Sequence, residues 1–93
     1  MIVALDYDDT WTRDPLAWRA ALSVLKAHGH TIIGVTMRGT GEQAGMDSNY
    51  FDLCDRVYFT SRKGKREYLA KRDIFPSVWI DDTPEFITMN ARA

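Results

Sequence analysis

The sequence predicts an α/β protein, a three-layer α/β/α sandwich in which helices cover both faces of a short parallel sheet. Two observations support this fold class. Short apolar and β-branched runs recur along the chain, and a helical or loop segment separates each run from the next. Strands that alternate with helices usually form a parallel sheet with right-handed crossovers. Polar side chains also lie at the carboxyl end of each run, and in open parallel sheets ligands bind at the edge that these strand ends form.

The first third of the chain reads as a β-α-β unit. The apolar run Ile2–Leu5 is typical of a strand buried on both faces. Asp14 is a good helix cap and Pro15 suits a first turn, while Gly29 supplies the helix end. Thr31–Thr36 is a second strand that ends on a hydroxyl. The helix between the strands carries an apolar stripe of Trp18, Ala21, Leu22 and Leu25.

The remainder of the chain alternates in the same way. Residues 38–48 are rich in glycine and small polar residues, which predicts a loop with at most a short helix before Cys54. The remaining predicted elements are a strand over residues 56–60, a helix over residues 65–72 ended by residues 74–76, a strand over Val78–Ile80 and a helix starting at residues 83–85.

Length and composition limit the classes of protein. With 93 residues, the chain is expected to form one domain over residues 1–93. A chain this short buries only about 60 to 68% of its unfolded surface, so stability should be modest and a homodimer would be compatible with it. Its net charge of −1 argues against a protein that coats nucleic acid or an anionic membrane.

Cysteine content and hydropathy suggest a compartment. Cys54 is the single cysteine, so no internal disulfide or thiolate metal cage can form, which suits a reducing cytoplasm. No basic-then-apolar leader opens the sequence, and no apolar run approaches the ~20 residues of a membrane helix. We therefore expect a cytoplasmic protein with no membrane partner.

The polar residues at the four strand ends are the candidate functional residues. They are Asp6, Asp8 and Asp9 after the first strand, Thr36 on the second, Thr60 and Ser61 on the third, and Asp81 and Asp82 after the fourth. Carboxylates gathered at one edge repel unless a cation lies among them. Oxygen ligands of this kind suit Mg²⁺, which is often shared with a substrate phosphate. One acid could attack phosphorus while another handles the leaving group's proton.

Four short motifs, in order along the chain, carry a family resemblance. Residues 6–10 follow the first strand with the sequence DYDDT, Thr36 closes the second, Lys65 opens a helix, and residues 79–82 read WIDD. Together they resemble the four ordered motifs of the haloacid dehalogenase superfamily of phosphohydrolases. The resemblance implies a Rossmann-like core and phosphatase activity. The segments between the elements are too short for a cap domain, so the site is expected to be open.

The resemblance also implies roles for individual residues. Asp6 would be the nucleophile that forms an aspartyl-phosphate, and it would bind Mg²⁺. Asp8 would protonate the leaving oxygen and then activate water, with its backbone carbonyl on the metal. Thr36 would hydrogen-bond the phosphoryl group. Lys65, preferred to Lys63 because its spacing suits the first turn of the helix, would neutralise charge on the phosphoryl group and on Asp6.

The last motif supplies the remaining metal ligand. The resemblance implies that Asp81 completes the Mg²⁺ site, with Asp82 behind the direct ligands or acting through water. Asp9 stands where the family often has glycine, and it has no assigned role.

The expected substrate is a phosphate monoester. An open site admits a nucleotide, the end of a nucleic acid or a phosphoprotein, or it can be closed by a neighbouring subunit. Residues 36–38 are similar to the second motif in the phosphatase half of viral polynucleotide kinases. This likeness suggests nucleic acid as a substrate, and not as any other kind of partner. Two alternatives remain: a catalytically weak module of this fold that binds or regulates as a dimer, and a phosphoryl-accepting receiver domain.

Three further features are interpreted structurally. Trp11, beside the first motif, is expected to pack over the core rather than stack on a substrate. The pair His28 and His30 flanks a helix end, where the dipole favours histidine without any metal. The basic run at residues 62–66 is read as a solvated helix start that contains one functional lysine.

Overall fold

The computed structural model describes residues 1–92. Its centre is a four-stranded sheet with the strand order β3-β2-β1-β4, and every neighbouring pair is parallel. The strands are β1 (Ile2–Leu5), β2 (Thr31–Thr36), β3 (Arg56–Phe59) and β4 (Val78–Ile80). The predicted parallel sheet is therefore confirmed.

Helices lie on both faces of this sheet. They are α1 (Pro15–Ala27), α2 (Ser48–Leu53), α3 (Lys65–Ala70) and α4 (Glu85–Thr88), with short 3-10 turns at Trp11–Arg13 and Thr40–Glu42. Leu22 and Tyr50 of α1 and α2 belong to one hydrophobic cluster, whereas Leu69 of α3 belongs to a second. The α/β sandwich is thus confirmed at the level of its layers. Within the described residues, none of these helices is long and apolar enough to cross a bilayer.

The path of the chain through the sheet explains why helices cover both of its faces. From β1 the chain moves outward through β2 to β3, and it then returns past β1 to reach β4. Because each crossover is expected to be right-handed, this reversal sends α3 to the face opposite α1 and α2. The reversal falls between the neighbouring strands β1 and β4, and ligands bind at the carboxyl ends of the strands at such a point in open α/β sheets.

Both ends of α1 follow the sequence signals. Oδ1 of Asp14 accepts the backbone N–H of Ala17 at 3.2 Å. At the other end Gly29 adopts a left-handed φ of 88°, and the N–H of His30 donates to the carbonyl of Leu25 at 3.1 Å. The N–H of Gly29 also donates to the carbonyl of Lys26 at 2.9 Å, and these two C-terminal bonds form a Schellman motif. Nδ1 of His30 lies 2.8 Å from the N-terminal amine, which is a structural contact.

Three local expectations need correction. The helix α3 ends at Ala70 rather than at residue 72, because Asp73 takes a φ of 59° and the N–H of Ile74 donates back to Leu69. Strand β3 ends at Phe59, one residue early. Ala21 is exposed and not part of the buried stripe of α1, although it borders an apolar groove beside β4.

The core beneath the carboxyl edge is tightly packed around Tyr50, which is fully buried. Its hydroxyl donates to the carbonyl of Leu5 at 2.7 Å, one residue before Asp6. The ring reaches this point over Gly34 of β2, where an added Cβ would lie 2.5 Å from the Tyr50 oxygen. Trp11 is also fully buried and packs edge-on against Tyr50, as expected of a core residue. The end of β1 is therefore held in place by the core.

Candidate active site

A cleft of about 570 Å³ opens at the carboxyl edge of the sheet. It is lined by all of the residues to which the sequence gives a role: Asp6, Asp8, Thr36, Lys65, Asp81 and Asp82. They come from the loops after β1 and β4, the last residue of β2 and the start of α3. The predicted strand-end residues Thr60 and Ser61 do not line this cleft, because Thr60 is buried and its hydroxyl donates to the carbonyl of Lys63 at 2.9 Å.

Lys65 forms the centre of a buried cluster at the bottom of the cleft. Its Nζ lies 2.8 Å from Oδ1 of Asp6 and 2.5 Å from Oδ2 of Asp81. The side chains of Lys65, Asp6 and Asp81 are only 3%, 8% and 3% exposed. Lys63, the other candidate lysine, is exposed. We call Lys65, Asp6, Asp81 and Asp82 the acid–lysine cluster.

Burial dominates the electrostatics of Asp6. It raises the pKa of this carboxyl from 3.8 to about 7, although the charge of Lys65 and a hydrogen bond from it act in the opposite direction. The charge of Asp81 adds to the increase. One lysine is thus too little to keep Asp6 fully ionised at neutral pH, because burial outweighs its charge and Asp81 also binds it. A further cation in this cluster would favour the charged form that a nucleophile requires.

Thr10 also belongs to this site, and the sequence assigned it no role. Its Oγ1 lies 2.9 Å from Oδ2 of Asp6 and 3.1 Å from Oδ1 of Asp82, and it accepts the N–H of Asp82 at 3.1 Å. The hydroxyl therefore ties the end of β1 to the end of β4. The single signal in the sequence was its place at the close of the first motif.

The acid–lysine cluster has the composition of a site for a hard cation. Asp6, Asp81 and Asp82 each offer one carboxylate oxygen, and these atoms lie within 4.8 Å of one another. When all three are ionised, two negative charges remain after Lys65 is counted. Oxygen donors with this net charge fit Mg²⁺. Asp82 is exposed, and interactions with Asp6, Thr83 and Thr10 outweigh burial and hold its pKa below the ordinary value.

Asp8 stands apart from this cluster, at the rim of the cleft. Its two carboxylate oxygens accept hydrogen bonds from Arg38, from Nη2 at 2.8 Å and from Nε at 3.0 Å. Nη1 of Arg38 donates to the carbonyl of Glu42 at 3.0 Å, and the guanidinium lies 5.2 Å from the ring centre of Tyr7. The hydrogen bond with Asp8 is the main cause of a raised pKa for Arg38. We call Asp8 and Arg38 the rim pair.

A second ion pair lies next to the rim pair. Arg62 donates to both carboxylate oxygens of Glu42, and its Nη1 also donates to the carbonyl of Met37 at 3.1 Å. The hydrogen bond from Arg62 lowers the pKa of Glu42 to about 2, and a backbone bond from Gly39 contributes. Arg62 itself takes a left-handed φ of 68°. This segment after β3 is thereby fastened to the loop after β2.

Thr36 faces the cleft from the end of β2, and it is almost completely buried. Its Oγ1 accepts the backbone N–H of Arg38 at 3.3 Å. A hydroxyl that accepts this bond keeps its own hydrogen for donation, which is what a phosphoryl oxygen would need.

Asp9 has a backbone role at the turn between the first motif and α1. Its φ is 59°, a left-handed conformation that aspartate adopts more readily than most residues and glycine adopts freely. Its N–H donates to Oγ1 of Thr12 at 2.9 Å, and its exposed carboxylate lies 3.9 Å from Arg13. The turn thus accounts for a residue that the sequence left without a function.

Comparisons of the chain with protein-family models, with curated proteins and with solved structures give no match.

Proposed function

We propose that this protein is a magnesium-dependent phosphatase of the haloacid dehalogenase type, which hydrolyses phosphate monoesters through an aspartyl-phosphate on Asp6. The observation that carries the proposal is the position of Asp6 in the cleft. Its Oδ1 is 2.8 Å from Nζ of Lys65, its Oδ2 is 2.9 Å from the hydroxyl of Thr10, and two more carboxylates lie within 4.8 Å. A nucleophile needs this combination of orientation and counter-charge.

In the first step an oxygen of Asp6 attacks phosphorus, and the bond from phosphorus to the leaving oxygen breaks. Asp8 gives its proton to that oxygen, which leaves as an alcohol. In the second step Asp8 takes a proton from water, the water oxygen attacks phosphorus, and the bond between phosphorus and Asp6 breaks. Inorganic phosphate is released and both aspartates return to their starting states.

Two side chains would stabilise the phosphoryl oxygens during transfer. Thr36 would donate its hydroxyl hydrogen, and Lys65 would offset negative charge from its buried position next to Asp6. Donors that are held in place before the reaction need little reorganisation when charge develops, which is the main source of electrostatic catalysis.

The cluster's oxygen donors would hold Mg²⁺ through Asp6, Asp81 and the backbone carbonyl of Asp8, with Asp82 acting directly or through water. When bound, Mg²⁺ supplies positive charge to the phosphoryl oxygens and favours ionised Asp6.

We further propose that the site works without a cap domain and that its substrates include nucleotides, nucleic-acid ends or phosphoproteins. The cleft is open to solvent and carries exposed Asp82 and Glu42 on its walls. A homodimer that covers the cleft would serve the same purpose as a cap.

The first test is hydrolysis of an aryl phosphate with and without Mg²⁺. We expect phosphate release that depends on Mg²⁺. The rate of release should fall at least about a thousandfold in Asp6→Asn, because no other group attacks phosphorus. Asp52→Asn is the matched control, because Asp52 lies exposed on α2 outside the cleft. Absence of turnover on a broad panel of phosphate esters, with Asp6→Asn indistinguishable from wild type in ligand binding, would contradict the proposal.

A second candidate is a module that binds phosphorylated ligands without turnover. The observation that favours it is the rim pair, in which both oxygens of the proton donor are occupied by Arg38. Incubation with a small phosphodonor separates the candidates. Rapid hydrolysis of the phosphorylated protein favours the phosphatase, a stable phospho-aspartate favours a receiver domain, and binding of the phosphodonor without phosphorylation of the protein favours the binding module.

A further inference from the structure

The rim pair presents a conflict with the role proposed for Asp8. As a proton donor, Asp8 must direct a carboxyl oxygen toward the leaving group. In the structure, Nη2 of Arg38 occupies one of these oxygens at 2.8 Å and Nε occupies the other at 3.0 Å. A guanidinium that binds a carboxylate in this bidentate manner fixes its plane and its direction. Asp8 is therefore engaged until Arg38 finds another acceptor.

The surroundings of Arg38 are suited to such an exchange. Its side chain is 29% exposed and that of Asp8 is 51% exposed, so their contact is weakened by solvent. Both residues line the cleft that holds Asp6 and Thr36. Because a phosphoryl group presents oxygens to a guanidinium as a carboxylate does, a phosphate at Asp6 would compete for the same N–H groups.

Two contacts hold the guanidinium near the cleft whichever acceptor it binds. Nη1 donates to the carbonyl of Glu42 at 3.0 Å, and the ring of Tyr7 lies 5.2 Å below the guanidinium carbon. Tyr7 is itself buried, and its hydroxyl accepts the N–H of Asp47 at 2.8 Å. Arg38 can thus change its acceptor while its contacts with Glu42 and Tyr7 persist.

We propose that Arg38 is a substrate-responsive clasp on Asp8. When a phosphate monoester enters, the Nε and Nη2 groups of Arg38 move from the Asp8 carboxylate to phosphoryl oxygens, and Asp8 is released toward the leaving oxygen. The exchange involves hydrogen bonds only. This proposal rests on the proposed function for the identity of the ligand. Under it, Arg38 both binds phosphate and positions Asp8.

The neighbouring Arg62 does not share this property. It is bound to Glu42, which has no part in the proposed chemistry, and to the carbonyl of Met37. Release of Glu42 would free no catalytic group. The clasp is therefore assigned to Arg38.

Binding of inorganic phosphate in the presence of Mg²⁺ tests the exchange without turnover. We expect the Nε–H signal of Arg38 in an NMR titration to shift saturably, and Arg38→Lys to weaken phosphate binding roughly tenfold, because lysine lacks the planar fork. Arg72→Lys is the matched control. Arg72 also lies over a tyrosine ring and donates to a backbone carbonyl, but it lies outside the cleft.

Competition between phosphate and the Asp8 carboxylate for Arg38 has a consequence that is not expected if Arg38 is only structural. Asp8→Asn removes the charged competitor, so phosphate should bind several-fold more tightly than in wild type. Asp9→Asn removes a neighbouring negative charge that Arg38 does not contact, and it should give a smaller gain. In the Arg38→Lys background most of the gain from Asp8→Asn should disappear, because the two changes act through one contact.

The outcomes separate this inference from the proposed function. The inference is overturned if phosphate does not bind, if it binds without moving the Arg38 signal, or if Arg38→Lys binds it within twofold of wild type. Ester hydrolysis with an unmoved Arg38 would overturn the clasp alone. A shifted Arg38 signal without hydrolysis of any ester would support the clasp and contradict the phosphatase.

Discussion

The core of the acid–lysine cluster and the rim pair both join carboxylates to a cationic side chain, but they differ in burial. Lys65 with Asp6 and Asp81 lies at the bottom of the cleft, where the three side chains are at most 8% exposed. Arg38 with Asp8 lies at the rim, at 29% and 51% exposure. A buried charge without its partner is costly, whereas exposed pairs contribute about 0 to 1 kcal/mol.

This difference suggests a division of tasks. The buried contacts are too costly to break during a reaction, so they suit a fixed nucleophile. The rim contacts are cheap to exchange, so they suit a residue that must change partners. The following changes are ordered from the largest expected effect to the smallest.

Removal of Lys65 should have the largest effect on stability. Lys65→Met leaves Asp6 and Asp81 buried without their cation, and we expect a loss of about 3 to 5 kcal/mol in the free energy of unfolding at pH 8 with EDTA. Urea denaturation measures it. Because Lys65 lowers the pKa of Asp6, its removal should raise this pKa above the wild-type value of about 7, so the folded variant takes up a proton at higher pH than wild type does and the loss should shrink as the pH falls from 8 through 7.

The control for this change is Lys63→Met, two residues away on the exposed surface. We expect it to change the free energy of unfolding by less than about 0.5 kcal/mol. An equal cost for both variants would show that burial does not distinguish the two lysines.

Gly34→Ala tests the core that supports the buried side of the site. The added Cβ would meet the Tyr50 oxygen at 2.5 Å and force this ring away from the carbonyl of Leu5. We expect a loss of about 1 to 3 kcal/mol from overpacking, measured by urea denaturation. Gly41→Ala is the control, since nothing lies within 4 Å of its added Cβ. Similar losses for both would contradict this account of the packing.

The rim pair should contribute little to stability. A double-mutant cycle with Asp8→Asn and Arg38→Gln should give a coupling energy of about 0.2 to 1 kcal/mol at low salt, and less at 0.5 M NaCl because screening shortens the range of exposed charges. The coupling energy is measured by urea denaturation of wild type, the two single variants and the double variant. A coupling above about 2 kcal/mol that resists salt would mean that the rim pair behaves like the buried cluster.

The smallest effect concerns Glu42, at the outer edge of the rim. Arg62 lowers the pKa of this carboxyl to about 2, and NMR titration of its carboxyl carbon should show this value rising toward 4.5 in Arg62→Gln. A lowered acid pKa stabilises the folded state above pH 4.5, and that contribution is lost as the pH falls toward 2. An unchanged pKa in Arg62→Gln would assign the shift to the Gly39 amide instead.

Much of the fold follows from local patterns. The bounds of β1, β2 and β4 agree with the apolar runs, and both ends of α1 agree with Asp14 and Gly29. The end of α3 does not agree with the prediction, because no glycine or proline marks the left-handed turn at Asp73. The sequence also placed the acids and Thr36 at one edge, since parallel strands deliver their carboxyl ends together, whereas Lys65 was expected there through the family resemblance.

The sequence by itself determined the order of the elements and the arrival of Asp6, Asp8, Thr36, Asp81 and Asp82 at the carboxyl edge of the sheet. Only the tertiary structure decided how those residues divide. It buried Lys65 between Asp6 and Asp81, joined Thr10 to both strand ends and left Asp8 to Arg38. The physical reason is that spacing along a chain fixes the order of charges, whereas burial and partner distance, which set their energies, depend on packing between distant segments.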